Sequence, residues 1–150
     1  MTNDEIVDSL NDLVKINNDR INGFEKAAED IEDAELASLF KNLTSQSRKF
    51  RSELADNIVR IGGVVPAVDE TSTGSKIHRA WIDIKSAFTG KDRHTVLESC
   101  VFGENAAVEE YEETLEDESI PSHIRQTLST QLDELRQTRN QIATLRDVTE

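Results

Sequence analysis

A seam of positions runs through the first 31 residues in alternating steps of four and three: Ile6, Leu10, Leu13, Asn17, Arg20, Phe24, Ala27, Ile31. This is the inward-facing spacing of a helix in a bundle, and it predicts a first helix over 3–30. Thr2 followed by Glu5 is a capping-box pattern, and Asp4 and Asp8 suit the positive end of the helix dipole. A second seam, Leu36, Phe40, Leu43, Ser47, Phe50, Leu54, Ile58 and Ile61, predicts a helix over 34–62 with Asp33 as its N-cap. Gly62-Gly63 supplies a residue that can take the left-handed conformation ending it, and Pro66 prevents a restart. The connection at Ile31-Glu32-Asp33 is so short that the two helices must form an antiparallel hairpin.

Residues 64–75, rich in Pro, Thr, Ser, Gly and acidic side chains, read as a linker. Ile77, Trp81, Ile84 and Phe88 then form one stripe of a short helix over 76–89, stopped at Gly90. At about 1.5 Å per residue such a helix covers about 20 Å, enough with the linker to carry the chain from one end of a bundle to the other, with Trp81 pinning it down. A helix over 93–117, capped by Asp92, carries Leu97, Val101, Glu104, Val108, Tyr111 and Leu115 on its seam. A last helix over 121–147 opens at Ile120-Pro121, Pro being suited to a first helical turn, and its seam is Ile124, Leu128, Gln131, Leu135, Thr138, Ile142 and Leu145. Hairpin, long crossover, hairpin: the pattern predicts one all-α domain over 1–150, a ferritin-like four-helix bundle with a short extra helix in the crossover.

Every seam turns polar at mid-height, with Asn17 and Arg20 on the first helix, Ser47 on the second, Glu104 on the third, and Gln131 and Thr138 on the fourth. Three accounts compete. A di-metal carboxylate centre needs a Glu from each of two helices and a Glu-x-x-His from each of the other two, since bridging carboxylates and neutral imidazoles suit such cations. Here the second helix offers Glu53-Leu-Ala-Asp56 and the last offers Glu134-Leu-Arg-Gln137, while His78, His94 and His123 all fall at helix starts. Glu53, Glu104 and Glu134 would then be an incomplete ligand set for iron or another divalent metal. The preferred account is a metal-free polar layer standing where such a centre would be, built on a buried Arg20–Glu104 ion pair, since burying either charge alone costs several kcal/mol. In the third account both long side chains reach past the seam into solvent.

Composition sharpens this reading. Apolar residues make up 36% and charged residues 31% of the 150, with six Gly and two Pro, a balance that favours long helices in one domain. The net charge of −13 argues against nucleic acid or an anionic membrane as partner, and fits a solvated acidic surface or a cationic partner. Between Arg93 and Arg125 there are nine acidic residues and no Lys or Arg, and like charges a helical turn apart repel. The third helix must therefore be held by its packed face or by a basic protein partner. Arg48, Lys49 and Arg51 form a basic patch on which that acidic helix from a second subunit could dock, giving a homodimer. Cys100 is the single cysteine, so no intramolecular disulfide forms, and beside Val101 it reads as a small core hydrophobe. Tyr111 is expected in the core with its hydroxyl at the edge, and Gly23 and Gly103 either give close helix approach, make room beside the polar layer, or are simply tolerated. The N-terminus lacks signal-peptide order, and no apolar run approaches the roughly 20 residues that span a bilayer, so the cytoplasm is expected.

Several segments resemble a bacterial family of small four-helix-bundle proteins, a domain of unknown function within the ferritin-like superfamily. They are Gly23-Phe-Glu-Lys-Ala-Ala-Glu-Asp-Ile31, Ile61-Gly-Gly with Pro66, and His78-Arg-Ala-Trp-Ile-Asp-Ile-Lys-Ser-Ala-Phe-Thr-Gly90. Gly103-Glu-Asn-Ala-Ala-Val-Glu-Glu-Tyr-Glu-Glu113, Ile120-Pro121 and Leu145-Arg-Asp147 extend the match to nearly the whole chain. The resemblance implies a ferritin-like bundle in a bacterial cytosolic protein, and no particular reaction. Relatives often carry a His near the position of Arg139, and this chain departs from them there.

Overall fold

A computed structural model describes residues 2–71 and 93–149. Their regular structure is four helices, α1 (Asn3–Asp30), α2 (Ala34–Arg60), α3 (Arg93–Leu115) and α4 (Ser122–Asp147), with no strand among the described residues. The helix expected over 76–89, with Trp81, and the Asp92 cap lie outside the described residues.

The helix ends follow from local chemistry. Thr2 Oγ1 accepts the Glu5 N–H at 3.2 Å, and Asp33 Oδ1 accepts the N–H groups of Glu35 and Leu36 at 3.0 and 3.1 Å. Each cap satisfies donors that have no partner inside the helix. Gly62 sits at φ +85°, the Gly62 N–H reaches Val59 O at 3.0 Å, and the Gly63 N–H reaches Ile58 O at 2.9 Å. This paired closure stops α2 at Arg60 rather than at the expected 62. A Cβ on Gly63 would lie 2.7 Å from a Val7 methyl and 2.8 Å from one of Ile58, so the turn is packed tightly onto the start of α1. Pro121 is extended (ψ 145°) and serves as the N-cap, so α4 begins at Ser122, one place after the expected proline start. Its carbonyl accepts the Ile124 and Arg125 N–H groups at 3.1 and 2.9 Å. The helix expected to reach 117 ends at Leu115, where Arg125 donates to Leu115 O at 2.9 Å and Asp117 O at 2.7 Å. A cation is well placed on those last carbonyls.

Cross-helix hydrogen bonds give the directions. Arg20 meets Gln46 while Asn18 meets Arg51, so α2 runs against α1. Asn17 meets Tyr111 while Arg20 meets Glu104, so α3 also runs against α1. Gln46 meets Thr138 while Phe50 meets Gln131, and Tyr111 meets Gln131 while Asn105 meets Arg139, so α4 opposes both α2 and α3. Helices α2 and α3 are therefore parallel, and the chain between them must travel the length of the bundle. Its two ends agree, since Gly63 abuts Val7 at the start of α1 while Arg93 binds Asp33 (2.6 Å) and Glu35 at the opposite end. The architecture is two antiparallel hairpins joined by one end-to-end crossover.

The seams meet in one core that includes Leu10, Leu13, Phe24, Phe40, Phe50, Leu54, Leu97, Leu128 and Leu135, with the Phe24 and Phe40 rings stacked at 5.8 Å. Burial on α3 goes well beyond its seam: Val96, Cys100, Gly103, Ala106 and Ala107 are enclosed as well as the seam residues from Leu97 to Tyr111. Small side chains let neighbours close on more than one of its faces, and this packed surface holds the acidic helix in place.

Candidate functional site

At mid-height the bundle replaces hydrocarbon with a connected polar layer. Arg20 is fully buried, one of the bulkiest side chains to be so among the described residues, and Glu104 opposite it is equally buried. Arg20 Nε donates to Glu104 Oε1 at 3.0 Å and an Nη donates to Oε2 at 3.2 Å, so the guanidinium engages both carboxylate oxygens. The same Nη donates to Gln46 Oε1 at 2.7 Å, and the other donates to Asn17 Oδ1 at 3.2 Å. The guanidinium carbon stands 5.7 Å from the Phe24 ring centre and 5.6 Å from that of Phe50, adding cation–π attraction in a dry setting. An account in which both charges reach solvent is excluded by their burial.

The network continues in two directions. Gln46 Nε2 donates to Thr138 Oγ1 at 3.0 Å. Asn17 Nδ2 donates to Leu13 O at 3.0 Å and to the Tyr111 hydroxyl at 2.9 Å, and that hydroxyl donates to Gln131 Oε1 at 2.6 Å. Gln131 Nε2 then donates to Phe50 O at 3.2 Å and Glu53 Oε1 at 3.0 Å. All four helices contribute. Of the residues expected in the layer, Asn17, Arg20, Glu104, Gln131 and Thr138 are joined. Ser47 is buried but turns its hydroxyl back to Leu43 O at 2.7 Å, so it stays outside the network. Gln46, its neighbour, takes that role. The Tyr111 hydroxyl is a central link rather than the edge group expected. Burial pushes the Tyr111 phenol well up from its ordinary value, against the opposing pull of the Asn17 hydrogen bond and the Arg20 charge. Cys100 is buried beside the layer, and desolvation first, then the Glu104 charge, raise its thiol, so it is held as a neutral core group.

Among the described residues, Glu53, Glu104 and Glu134 are not gathered into one ligand set. A cation needs free carboxylate oxygens, and both of those on Glu104 are taken by a guanidinium. Glu53 is separated from Glu104 along the hydrogen-bond chain by Gln131, Tyr111, Asn17 and Arg20. Glu134 lies one helical turn from Gln131, with Lys49 Nζ 3.7 Å from Oε1 and its Oε2 buried without a hydrogen-bond partner. Among the described residues, no group of three or more His, Cys, Asp or Glu is placed to hold a metal ion. His94 and His123 belong to the first turns of α3 and α4, and His78 lies outside the described residues.

The basic patch is paired within the chain, with Arg48 and Lys49 still exposed and Arg51 partly buried. Arg48 pairs with Glu25, Lys49 with Glu134, and Arg51 donates to Asn18 Oδ1 at 2.8 Å and to Pro66 O at 2.7 Å. Gly23 and Gly103 are both buried. No helix among the described residues is long and apolar enough to cross a membrane.

Over the described residues, these features define an all-α protein whose four helices pair around a buried ion pair. The sequence matches the family described as Domain of unknown function (DUF2383) over residues 5–117, and the chain belongs to that family. No curated protein matches it.

Proposed function

We propose that this is a non-catalytic member of the ferritin-like class, in which an Arg20-centred polar layer stands where a di-metal centre would be. One observation carries the reading: the Arg20 guanidinium binds both oxygens of Glu104, at 3.0 and 3.2 Å, a fixed cation in place of an exchangeable one. Hairpin–crossover–hairpin order supports the ferritin-like assignment. Such a layer fixes helix register, because any slip leaves a charge buried without its partner. The protein then acts through its surface. The exposed Glu109, Glu112, Glu113 and Glu116 on α3 favour a basic protein as partner, ahead of a second copy of this acidic chain. A cytoplasmic location belongs to the same reading and is supported by the lone buried thiol.

Elemental analysis of protein purified without a histidine tag tests the central claim. Only trace metal is expected. Stoichiometric iron or manganese would overturn it in favour of a metal-binding or oxidase protein using Glu53, Glu104 and Glu134.

A further inference from the structure

Asn17 and Asn18 are adjacent on α1 and both wholly buried, yet they serve different faces of the helix. Asn17 faces the polar layer. Asn18 faces outward, where Nδ2 donates to Ala67 O at 2.9 Å and Glu70 O at 2.8 Å, and Oδ1 accepts from Arg51 Nε at 2.8 Å. Arg51 in turn donates through an Nη to Pro66 O at 2.7 Å. One buried amide and one guanidinium, on two antiparallel helices, thus hold three backbone carbonyls of the first part of the crossover.

We propose that Asn18 and Arg51 form a latch that holds residues 66–70 as a strap across the α1–α2 hairpin, and that this strap opens as a unit while the four-helix core stays folded. The composition of the strap supports this. Ala67, Val68, Asp69 and Glu70 are all exposed, and only Pro66 beside them is buried, so little apolar burial holds the segment down. Its own backbone bond is a single turn, Glu70 N–H to Ala67 O at 2.9 Å. Segments with few buried contacts open well below the free energy of global unfolding. The left-handed Gly62 marks the upstream end, where the path turns off α2. Strap and hairpin also share a groove lined by Ile21, Asn22, Arg48, Arg51, Ala55 and Val68, so opening the strap removes one wall of it. The latch uses an amide and a guanidinium, so it stays engaged across the range in which carboxylates and imidazoles titrate.

Native-state hydrogen exchange followed by NMR tests this, with the Glu70 amide as reporter and amides of the α1 and α3 interiors as controls. Arg51→Met removes the guanidinium at the half-exposed edge, and Asn18→Leu removes the buried amide. Each is expected to speed Glu70 exchange at least tenfold and to speed cleavage of residues 64–71 by a nonspecific protease, with the interior amides little changed. Arg51→Lys keeps the charge but not the two-pronged geometry, and should behave like Arg51→Met. Unchanged Glu70 exchange in Arg51→Met would overturn the latch. So would equal acceleration of Glu70 and the interior amides, which would make the strap part of the global unfolding unit. Should Asn18→Leu fail to fold, the two Arg51 variants decide the matter.

Discussion

Arg20 is the residue on which the interior depends. Its charge is tolerated only because Glu104, Asn17 and Gln46 accept its hydrogen bonds and two phenylalanine rings flank it. Removing one member of a buried pair leaves the other uncompensated, at a cost of about 3–5 kcal/mol, whereas removing both restores neutrality. Arg20→Met and Glu104→Gln should therefore each lower stability by roughly that amount, with the double variant falling well short of their sum. Urea denaturation of the four proteins measures this, and additive losses would refute the pairing. The spacing of the seams marked Arg20 and Glu104 directly. It put Ser47 on the second seam, by four steps then three from Leu43 to Phe50, although three then four passes equally through Gln46. Side-chain reach decides: glutamine spans to Arg20 and Thr138, while the serine hydroxyl reaches only its own helix. Tyr111 was legible as a core residue, but the destination of its hydroxyl depends on α1 and α4, which are distant in sequence.

At the scale of the helices, the stops matter as much as the seams. Gly62 and Gly63 look alike in the sequence and do different work. Gly62 holds a positive φ in open space, so Gly62→Ala meets only backbone strain, about 1 kcal/mol. Gly63→Ala would drive a methyl to within 2.7 Å of Val7 and 2.8 Å of Ile58, both branched and unable to swing aside freely. Overpacking of this kind costs about 1–3 kcal/mol, so Gly63→Ala should be the more destabilising of the two in thermal unfolding. A larger loss for Gly62→Ala would contradict the close approach of this turn to α1. The caps at Thr2 and Asp33 were readable because they depend on residues two or three places away. The Pro121 start was displaced by one residue, because an N-cap and a first-turn proline differ in ψ, which the sequence does not display.

For the whole molecule, a net charge of −13 means that the folded surface repels itself. Raising salt from about 0.01 M to about 1 M shortens the screening length from roughly 30 Å to 3 Å. The melting temperature should rise over that range, because exposed pairs such as Arg136–Glu112 contribute little and the buried Arg20–Glu104 pair is shielded from ions. A fall in differential scanning calorimetry would instead place the surface ion pairs in control.

By itself the sequence determined the four helices, their hairpin pairing and the polar height of the bundle. These rest on periodicity, short connections and local capping, all of which act over a few residues. The tertiary structure decided the rest. It set which polar side chain meets which, withdrew Arg51 from the basic surface patch, and turned Asn18 toward the crossover. Those outcomes depend on how side chains from different helices converge in three dimensions, and a buried hydrogen bond is specified only when both of its partners are in place.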